Sequence, residues 1–280
     1  ERVVIPVFNG VDHELPDQFT YVRTCVDTEG LHMPRVPSLM LDCCSCVDDC
    51  AASGTCSCSG HNRVYDSQGL LTEHAWEVRL WSECNFACRC DWRKCSNSVV
   101  GKGLKLPLQL FRTAGKGWGV RCSRPIPRGT FVAMYAGEVL DSATAEERGR
   151  NVCDEYLFDL DSLALRLREE HESNAASVAT ALALQLGRRL QRPPPSAEAD
   201  AEPRTHKESF HTSMVTVDAK QFGNIGRFFN HSCDPNMSVF SVQLDVRDAH
   251  FAMPCFFTLK QVPAFEELTY DYGYSESDVD

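Results

Sequence analysis

The chain lacks any apolar run approaching the roughly 20 residues that a membrane-spanning helix requires, which excludes a helical membrane anchor within it. It is also short of positive charge: 28 Lys and Arg stand against 39 Asp and Glu, a formal net charge of −11. An overall balance that acidic argues against direct reading of nucleic acid and suits a cationic partner such as a Lys/Arg-rich peptide, although the same charge serves solubility. No signal peptide precedes the cysteines and no internal repeat stands out, so neither a secreted module nor a repeat array is expected.

Cysteine is abundant and unevenly placed. Nine of the 15 lie between Cys44 and Cys95 in two bursts, C-x-C-x3-C-x5-C-x-C (Cys44, Cys46, Cys50, Cys56, Cys58) and C-x3-C-x-C-x4-C (Cys84, Cys88, Cys90, Cys95). The two sulfurs of a C-x-C are too strained to pair with each other, but they can serve neighbouring metal ions. Zinc takes four soft ligands in a tetrahedron. Three ions need twelve ligand positions, which nine thiolates fill if three of them bridge. A trinuclear zinc–thiolate cluster is therefore expected, and with it a reducing, intracellular compartment. The competing reading is a disulfide-rich module, which the odd number of cysteines fits poorly. Cys43 reads as a spare beside the first ligand, and Cys122 and Cys153 as small buried apolar residues.

The 280 residues divide by pattern. Residues 1–42 open with Val3, Val4, Ile5 and Val7 and continue through Pro16, Pro34 and Pro37, as an extended arm packing on the catalytic domain. Residues 43–104 hold the cysteines, with a loop of weak periodicity at 59–83. Residues 105–274 read as many short strands, among them Leu106–Phe111 and Phe131–Tyr135 around a Gly115–Gly119 turn, and 275–280 are a tail. An insertion at 162–208 interrupts the strands. Its first part, Leu163–Leu190, has helical composition and apolar spacing; its second, from Pro193 to Pro203, has the composition of a mobile loop. The predicted class is mainly β with a few helices.

Three motifs follow in order: Gly115-Lys116-Gly117-Trp118-Gly119-Val120; Arg227-Phe228-Phe229-Asn230-His231-Ser232-Cys233-Asp234-Pro235-Asn236; and Glu267-Leu268-Thr269-Tyr270-Asp271-Tyr272-Gly273-Tyr274. With the nine-cysteine module ahead of them, they make the chain resemble the SET-domain protein lysine methyltransferases, specifically the Suppressor-of-variegation group, over roughly 43–274. The resemblance implies a SET fold of small β-sheets, in which the NHSC segment and the tyrosine strand cross in a knot-like arrangement, behind a loop-rich pre-SET zinc module. It implies S-adenosylmethionine as cofactor, bound by Lys116, Gly117, Trp118, Gly119, Tyr156, Arg227, Phe228, Asn230 and His231. It implies a methyl-transfer channel of Tyr135, Tyr270 and Tyr272. The expected substrate is a histone H3 tail or similar basic peptide, with lysine 9 favoured and mono- or dimethyl-lysine as product. The expected location is nuclear, on chromatin. The alternative is a weakly active or inactive SET-fold zinc scaffold that binds histone tails.

Two departures from the family pattern stand out. Four residues, where relatives have three, precede Cys95. The post-SET C-x-C-x4-C motif is missing from these 280 residues, so Cys233 lacks the partners with which it would hold a fourth zinc. The expectation is a piece of a longer chain, or a member without the motif, with an open pocket, weak cofactor affinity and low activity. Some family members carry a SET domain split near 162–208.

Overall fold

A computed structural model describes residues 4–28, 43–50, 56–59, 63–78, 80–152, 156–160, 215–244 and 252–273. The insertion expected at 162–208, the tail at 275–280 and Cys153 lie outside the described residues. Thirteen strands and two α-helices are described: β1 (Val7–Phe8), β2 (Thr20–Tyr21), α1 (Glu73–Val78), β3 (Leu80–Ser82), β4 (Leu108–Arg112), β5 (Trp118–Cys122), β6 (Phe131–Met134), β7 (Gly137–Asp141), α2 (Ser142–Val152), β8 (Leu157–Asp159), β9 (Val215–Gly223), β10 (Asn230–His231), β11 (Met237–Gln243), β12 (Met253–Thr258) and β13 (Thr269–Tyr270). The chain is mainly β, built from small sheets.

Among the described residues four sheets are formed: β1-β4-β5, β3-β11-β12-β6, β2-β9-β7 with β8 also on β9, and the parallel pair β10-β13. The core lies on β12, whose six residues are all buried and which runs antiparallel to both β11 and β6. A strand buried along its whole length, apolar from Met253 to Phe257 and closed by Thr258, whose hydroxyl donates to the Pro127 carbonyl, belongs inside a sheet covered on both faces. Phe256, Phe257 and Phe240 are fully buried there, and Phe257 packs on Tyr65, Trp81, Phe131 and Phe240.

The N-terminal residues enter the sheets as strands. β1 pairs in parallel with β4, Val7 opposite Leu110, and β2 with β9, Thr20 opposite Phe222. Among the described residues the apolar start contributes Val7 and Phe8 as strand, after Pro6, which cannot donate to a ladder; Val3 and, later in the arm, Pro34 and Pro37 lie outside the described residues. Arg112 on β4 clasps the arm by pairing with Asp12 and Glu14. Asn9 and Arg112 hold the Asp12 carboxyl down to about 2.

The weakly periodic stretch at 59–83 is not all loop. It contains α1 and β3, and β3 joins β11 in parallel, with Trp81 opposite Val242. Elements of six and three residues are too short for a period to register, and a tertiary partner fixes them. The segment between the cysteine bursts thus gives a strand to the sheet that carries β12.

A buried carboxylate secures this junction. Glu83 is 1% exposed and accepts from Tyr65 Oη at 2.6 Å, the Val99 and Val100 amides at 3.0 and 2.9 Å, and the Gly101 amide at 2.9 Å. Trp81 Nε1 donates to Tyr65 Oη in turn. Four donors meet the demand that a buried charge be hydrogen-bonded. Burial still raises the Glu83 carboxyl above its ordinary value, and these donors only partly offset it.

Candidate active site and thiol cluster

Local geometry builds the site from its glycine turn. Gly117 has φ +70°, a left-handed conformation that favours glycine, and leads directly into β5. At Gly119 a Cβ would lie 2.9 Å from Glu267 Oε1 and from Thr113 Cγ2, so only glycine admits these neighbours. Lys116 reaches from the turn to the His231 carbonyl at 3.2 Å. Asn230 donates from Nδ2 to the Trp118 carbonyl at 3.0 Å and to Glu267 Oε1 at 2.7 Å. The first and second motifs therefore touch.

The second and third motifs pair as strands. β10 and β13 run in parallel, Asn230 opposite Thr269 and His231 opposite Tyr270, and Ser232 N donates to the Tyr270 carbonyl. Asn236 stitches the same region, donating to the Glu267 carbonyl at 2.8 Å and accepting from Thr269 N at 3.0 Å. Asn224 caps the 3-10 turn Ile225–Phe228 through the Gly226 amide and fixes it to the Met134 carbonyl at 2.8 Å. That turn delivers Arg227 and Phe228.

Tyr135, Tyr270 and Tyr272 converge on one aromatic cluster. The rings of Tyr270 and Tyr272 lie 4.6 Å apart, and Phe256 sits 4.8 Å from Tyr270 and 6.5 Å from Tyr135. The hydroxyls are already oriented: Tyr272 Oη donates to the Phe229 carbonyl at 2.7 Å, and Tyr135 Oη to the Tyr156 carbonyl at 2.8 Å. Burial, reinforced by Tyr270 and Tyr272, holds the Tyr135 hydroxyl well above its ordinary value.

Arg227 lies beside this cluster. Its guanidinium faces the rings of Tyr156 at 4.2 Å, Phe19 at 4.4 Å and Phe228 at 5.1 Å. It is 7% exposed, and Nε and Nη1 have no hydrogen-bond partner among the described residues. Aromatic faces compensate a cation in part, but unpaired buried donors remain costly. The chemistry of this orphan fits an anionic group such as a ligand carboxylate. Phe19, Asn236 and Glu267 are site residues that motif reading passed over. Glu267 opens the third motif, and its carboxylate joins the first two.

The two cysteine bursts form one buried cluster. Sulfur separations are 3.5 Å for Cys44–Cys50, 3.4 Å for Cys50–Cys84, 3.7 Å for Cys44–Cys90, 3.9 Å for Cys44–Cys84 and 3.6 Å for Cys58–Cys88. Disulfide sulfurs would stand about 2.05 Å apart. A tetrahedron with about 2.3 Å zinc–sulfur bonds has edges of about 3.8 Å. Three sets of four thiols meet within 4.8 Å: Cys44, Cys50, Cys84, Cys90; Cys44, Cys46, Cys50, Cys56; and Cys44, Cys58, Cys84, Cys88. Cys44, Cys50 and Cys84 recur between sets, as bridging thiolates do. Cys95, fully buried, joins through Cys84 and Cys50, and hydrogen bonding with Cys84 draws its thiol down. Burial pushes the Cys44, Cys50, Cys88 and Cys90 thiols up, so a bound cation is what would favour their thiolates. Cys43 packs at the margin of the cluster and Cys122 is buried in the main core. Cys233 is exposed, away from the cluster, 3.4 Å from His231 Nε2.

Comparison with known families agrees with this architecture. A SET domain model matches residues 117–273, more than half of the chain, and a Pre-SET motif matches residues 1–98. The chain belongs to the SET-domain family. Its pre-SET and SET pairing, with its relatives, places it in the Suppressor-of-variegation group. It is 36% identical over 278 residues to the histone-lysine N-methyltransferase EHMT1 of Mus musculus, with 98% of this chain aligned to 17% of that protein. It is 33% identical to the H3 lysine-9 specific methyltransferase SUVH6 of Arabidopsis thaliana, with 98% of this chain aligned to 31% of that protein. The SET chain thus spans less than a third of either relative. A crystal structure of SUVH6 in complex with SAM superposes with a TM-score of 0.71 at 31% identity, covering 98% of this chain and 48% of that one. KRYPTONITE in complex with mCHH DNA, an H3(1-15) peptide and SAH gives 0.70 at 27% identity, covering 99% of this chain and 46% of that one.

Proposed function

We propose that this chain is the catalytic part of a histone lysine methyltransferase, taking a methyl group from S-adenosylmethionine to a lysine of the H3 tail, with lysine 9 favoured. The observation that carries the reading is the convergence of Tyr135, Tyr270 and Tyr272 beside a buried Arg227 whose Nε and Nη1 lack a hydrogen-bond partner among the described residues, on a SET fold. The relatives' activity on H3 lysine 9 and the bound SAM, SAH and H3 peptide in structures of the same fold support it. Chromatin, and so the nucleus, is the corresponding location.

S-adenosylmethionine supplies a sulfonium-activated methyl group when bound. Arg227 and Asn230 would hold its amino-acid end, with Tyr156 and Phe228 against the guanidinium. The turn at Lys116–Gly119 would let backbone approach it, with the Asn230–His231 backbone beside the adenine. The three tyrosines would line the lysine channel. A lysine amine, with an ordinary pKa of about 10.4, must lose a proton to attack. Aromatic walls disfavour the ammonium and lower that value. Tyr272 and Tyr135 already donate to carbonyls, so their oxygens present lone pairs that orient weak C–H···O contacts. A proton acceptor among them is not needed; water can take the proton before attack. Alignment of nitrogen, carbon and sulfur is the main contribution.

The same reading assigns three zinc ions to Cys44, Cys46, Cys50, Cys56, Cys58, Cys84, Cys88, Cys90 and Cys95. Cys233 would take part in a fourth only where three further thiolates are supplied. The Tyr270 hydroxyl narrows the channel, so mono- and dimethyl-lysine are the expected products. Mass spectrometry of an H3 peptide panel incubated with S-adenosylmethionine tests the whole reading. Methylation confined to the lysine 9 peptides, stopping at dimethyl, supports it; an unmodified panel defeats it. Tyr270→Phe should shift the product toward trimethyl-lysine, and mainly trimethyl product from the native chain would reject the role of Tyr270.

A further inference from the structure

The acidic balance of this chain is unevenly distributed. Residues 89–128 contain ten Lys and Arg and a single acid, Asp91, leaving 18 cations against 38 acids in the rest. Some of these cations have fold roles. Arg112 holds the arm, Arg128 pairs with Glu73, and Arg121 lies among the rings of Phe8, Phe111 and Phe265. Others gather elsewhere: Lys94, Lys102 and Lys105, joined by Arg63, line one cavity of about 400 Å³ between the cysteine cluster and β6.

The groups of opposite charge in that cavity are Asp49 and Asp66. Asp49 accepts from Ser96 N and Oγ, and Asp66 from the Gln68 and Leu70 amides; both keep their charge, so the lining carries four cations against two acids. Lys94 is 85% exposed and 3.4 Å from Asp91, a surface pair of little worth that leaves its charge available. Lys102 donates to the Cys95 carbonyl at 2.7 Å, which satisfies one donor and neutralises no charge. Ser98, on the same lining, has a buried hydroxyl with no hydrogen-bond partner among the described residues.

We propose that this cavity and its rim dock the phosphodiester backbone of duplex DNA, by charge and without base reading. Cations from separate chain segments around an open concavity suit a ligand whose charge repeats along its length. A duplex carries one negative charge per about 1.7 Å of axis. The excess of acid in the rest of the chain makes this stretch of cations the favoured place for a polyanion. Backbone contacts of this kind position a protein and carry no sequence information. The site is independent of the methyl-transfer reading, and its consequence for that reading is that a tail attached to DNA-wrapped protein is presented beside a docked enzyme.

Fluorescence anisotropy of the zinc-loaded chain with a labelled 20-base-pair duplex tests the proposal. Four phosphate contacts at about 0.9 each predict that log K falls with log salt at a slope of about 3 to 4. The exposed pair Lys94→Glu/Lys105→Glu should weaken binding at least about tenfold and reduce the slope by about two. Arg150→Glu, an exposed cation on α2, should change neither. Unaltered zinc content and unaltered methyl transfer to a short H3 peptide show that the double variant is folded. If the native chain methylates no peptide, the duplex titration still decides the docking site by itself. Absence of salt-dependent binding, or binding indifferent to the double reversal, overturns the proposal. Displacement of the duplex by inorganic phosphate or a phosphopeptide at equal charge concentration overturns it too, and assigns the cavity to an isolated phosphate group.

Discussion

A single hydroxyl proton separates two views of Tyr272. A free phenol could serve as a base, but Tyr272 Oη donates to the Phe229 carbonyl, so its oxygen is held as an acceptor. Tyr272→Phe removes that oxygen with little change in volume. Methyl transfer should fall at least about tenfold, near 1.4 kcal/mol of transition-state stabilisation. S-adenosylhomocysteine affinity, measured by calorimetry, should hardly move. Equal turnover in the variant and native enzyme would remove Tyr272 from the mechanism. The pH dependence follows from the substrate: the neutral amine fraction grows as pH rises toward the lysine pKa, so kcat should climb from pH 7 to 9. Tyr135, raised well above its ordinary value by burial, stays protonated across that range and adds no falling limb. A bell-shaped profile centred near neutrality would point to a titrating base. Tyr270 and Tyr272 were legible in the sequence because both sit in one dense local motif, and Tyr135 through the family resemblance alone. Phe19 was not. Its contact with Arg227 joins the arm to the second motif across most of the chain, and an isolated phenylalanine in a turn-rich stretch has no local signature.

Short elements show where sequence reading stops. β4, β6 and the glycine turn were visible through apolar runs and glycine spacing, whereas α1 and β3 disappeared into a stretch of weak periodicity. What fixes β3 is its partner β11, together with Glu83, the next residue but one beyond Trp81. Glu83 reads as an ordinary surface acid between Ser82 and Cys84, yet it anchors Tyr65 and the turn Val100–Lys102. Glu83→Ala leaves one hydroxyl and three amides buried without an acceptor. At about 1–3 kcal/mol for each unmet donor, partly relieved by water, the loss should be on the order of 3 kcal/mol. Glu83→Gln should cost about half as much, because the amide oxygen keeps the Tyr65, Val99 and Val100 contacts and only Gly101 faces a second donor. Urea denaturation of the three proteins checks the order. Equal midpoints would mean that this carboxylate does not secure the junction.

At the scale of the molecule, the thiol cluster meets the sheet of β3 and β11 along Ser82–Asn85, where Glu83 N donates to the Gln243 carbonyl and Asn85 Nδ2 to the Leu244 carbonyl. Cys84 recurs in two of the four-sulfur sets, Glu83 holds the Val100–Lys102 turn, and Ser82 ends the strand that pairs with β11. The spacing of the cysteines announced a metal centre because ligand spacing is local. It said nothing of this border, which exists only once β3 has found β11. Loss of metal should therefore spread. Zinc binding at such a centre is also folding energy, since the unfolded chain has no preformed site. Titration with a strong chelator should release about three zinc per chain, the number that nine thiolates hold at four contacts per ion when three of them bridge. Hydrogen exchange should then accelerate first in residues 84–95, next in β3 and β11, and last in β9 and β7, which make no pairing with β3. Methyl transfer should decline with the second phase, when the sheet holding Phe256 beneath the tyrosines loosens. Native protection in β11 and β12 after complete zinc release would show that the two halves fold independently and that the shared border carries no stability between them.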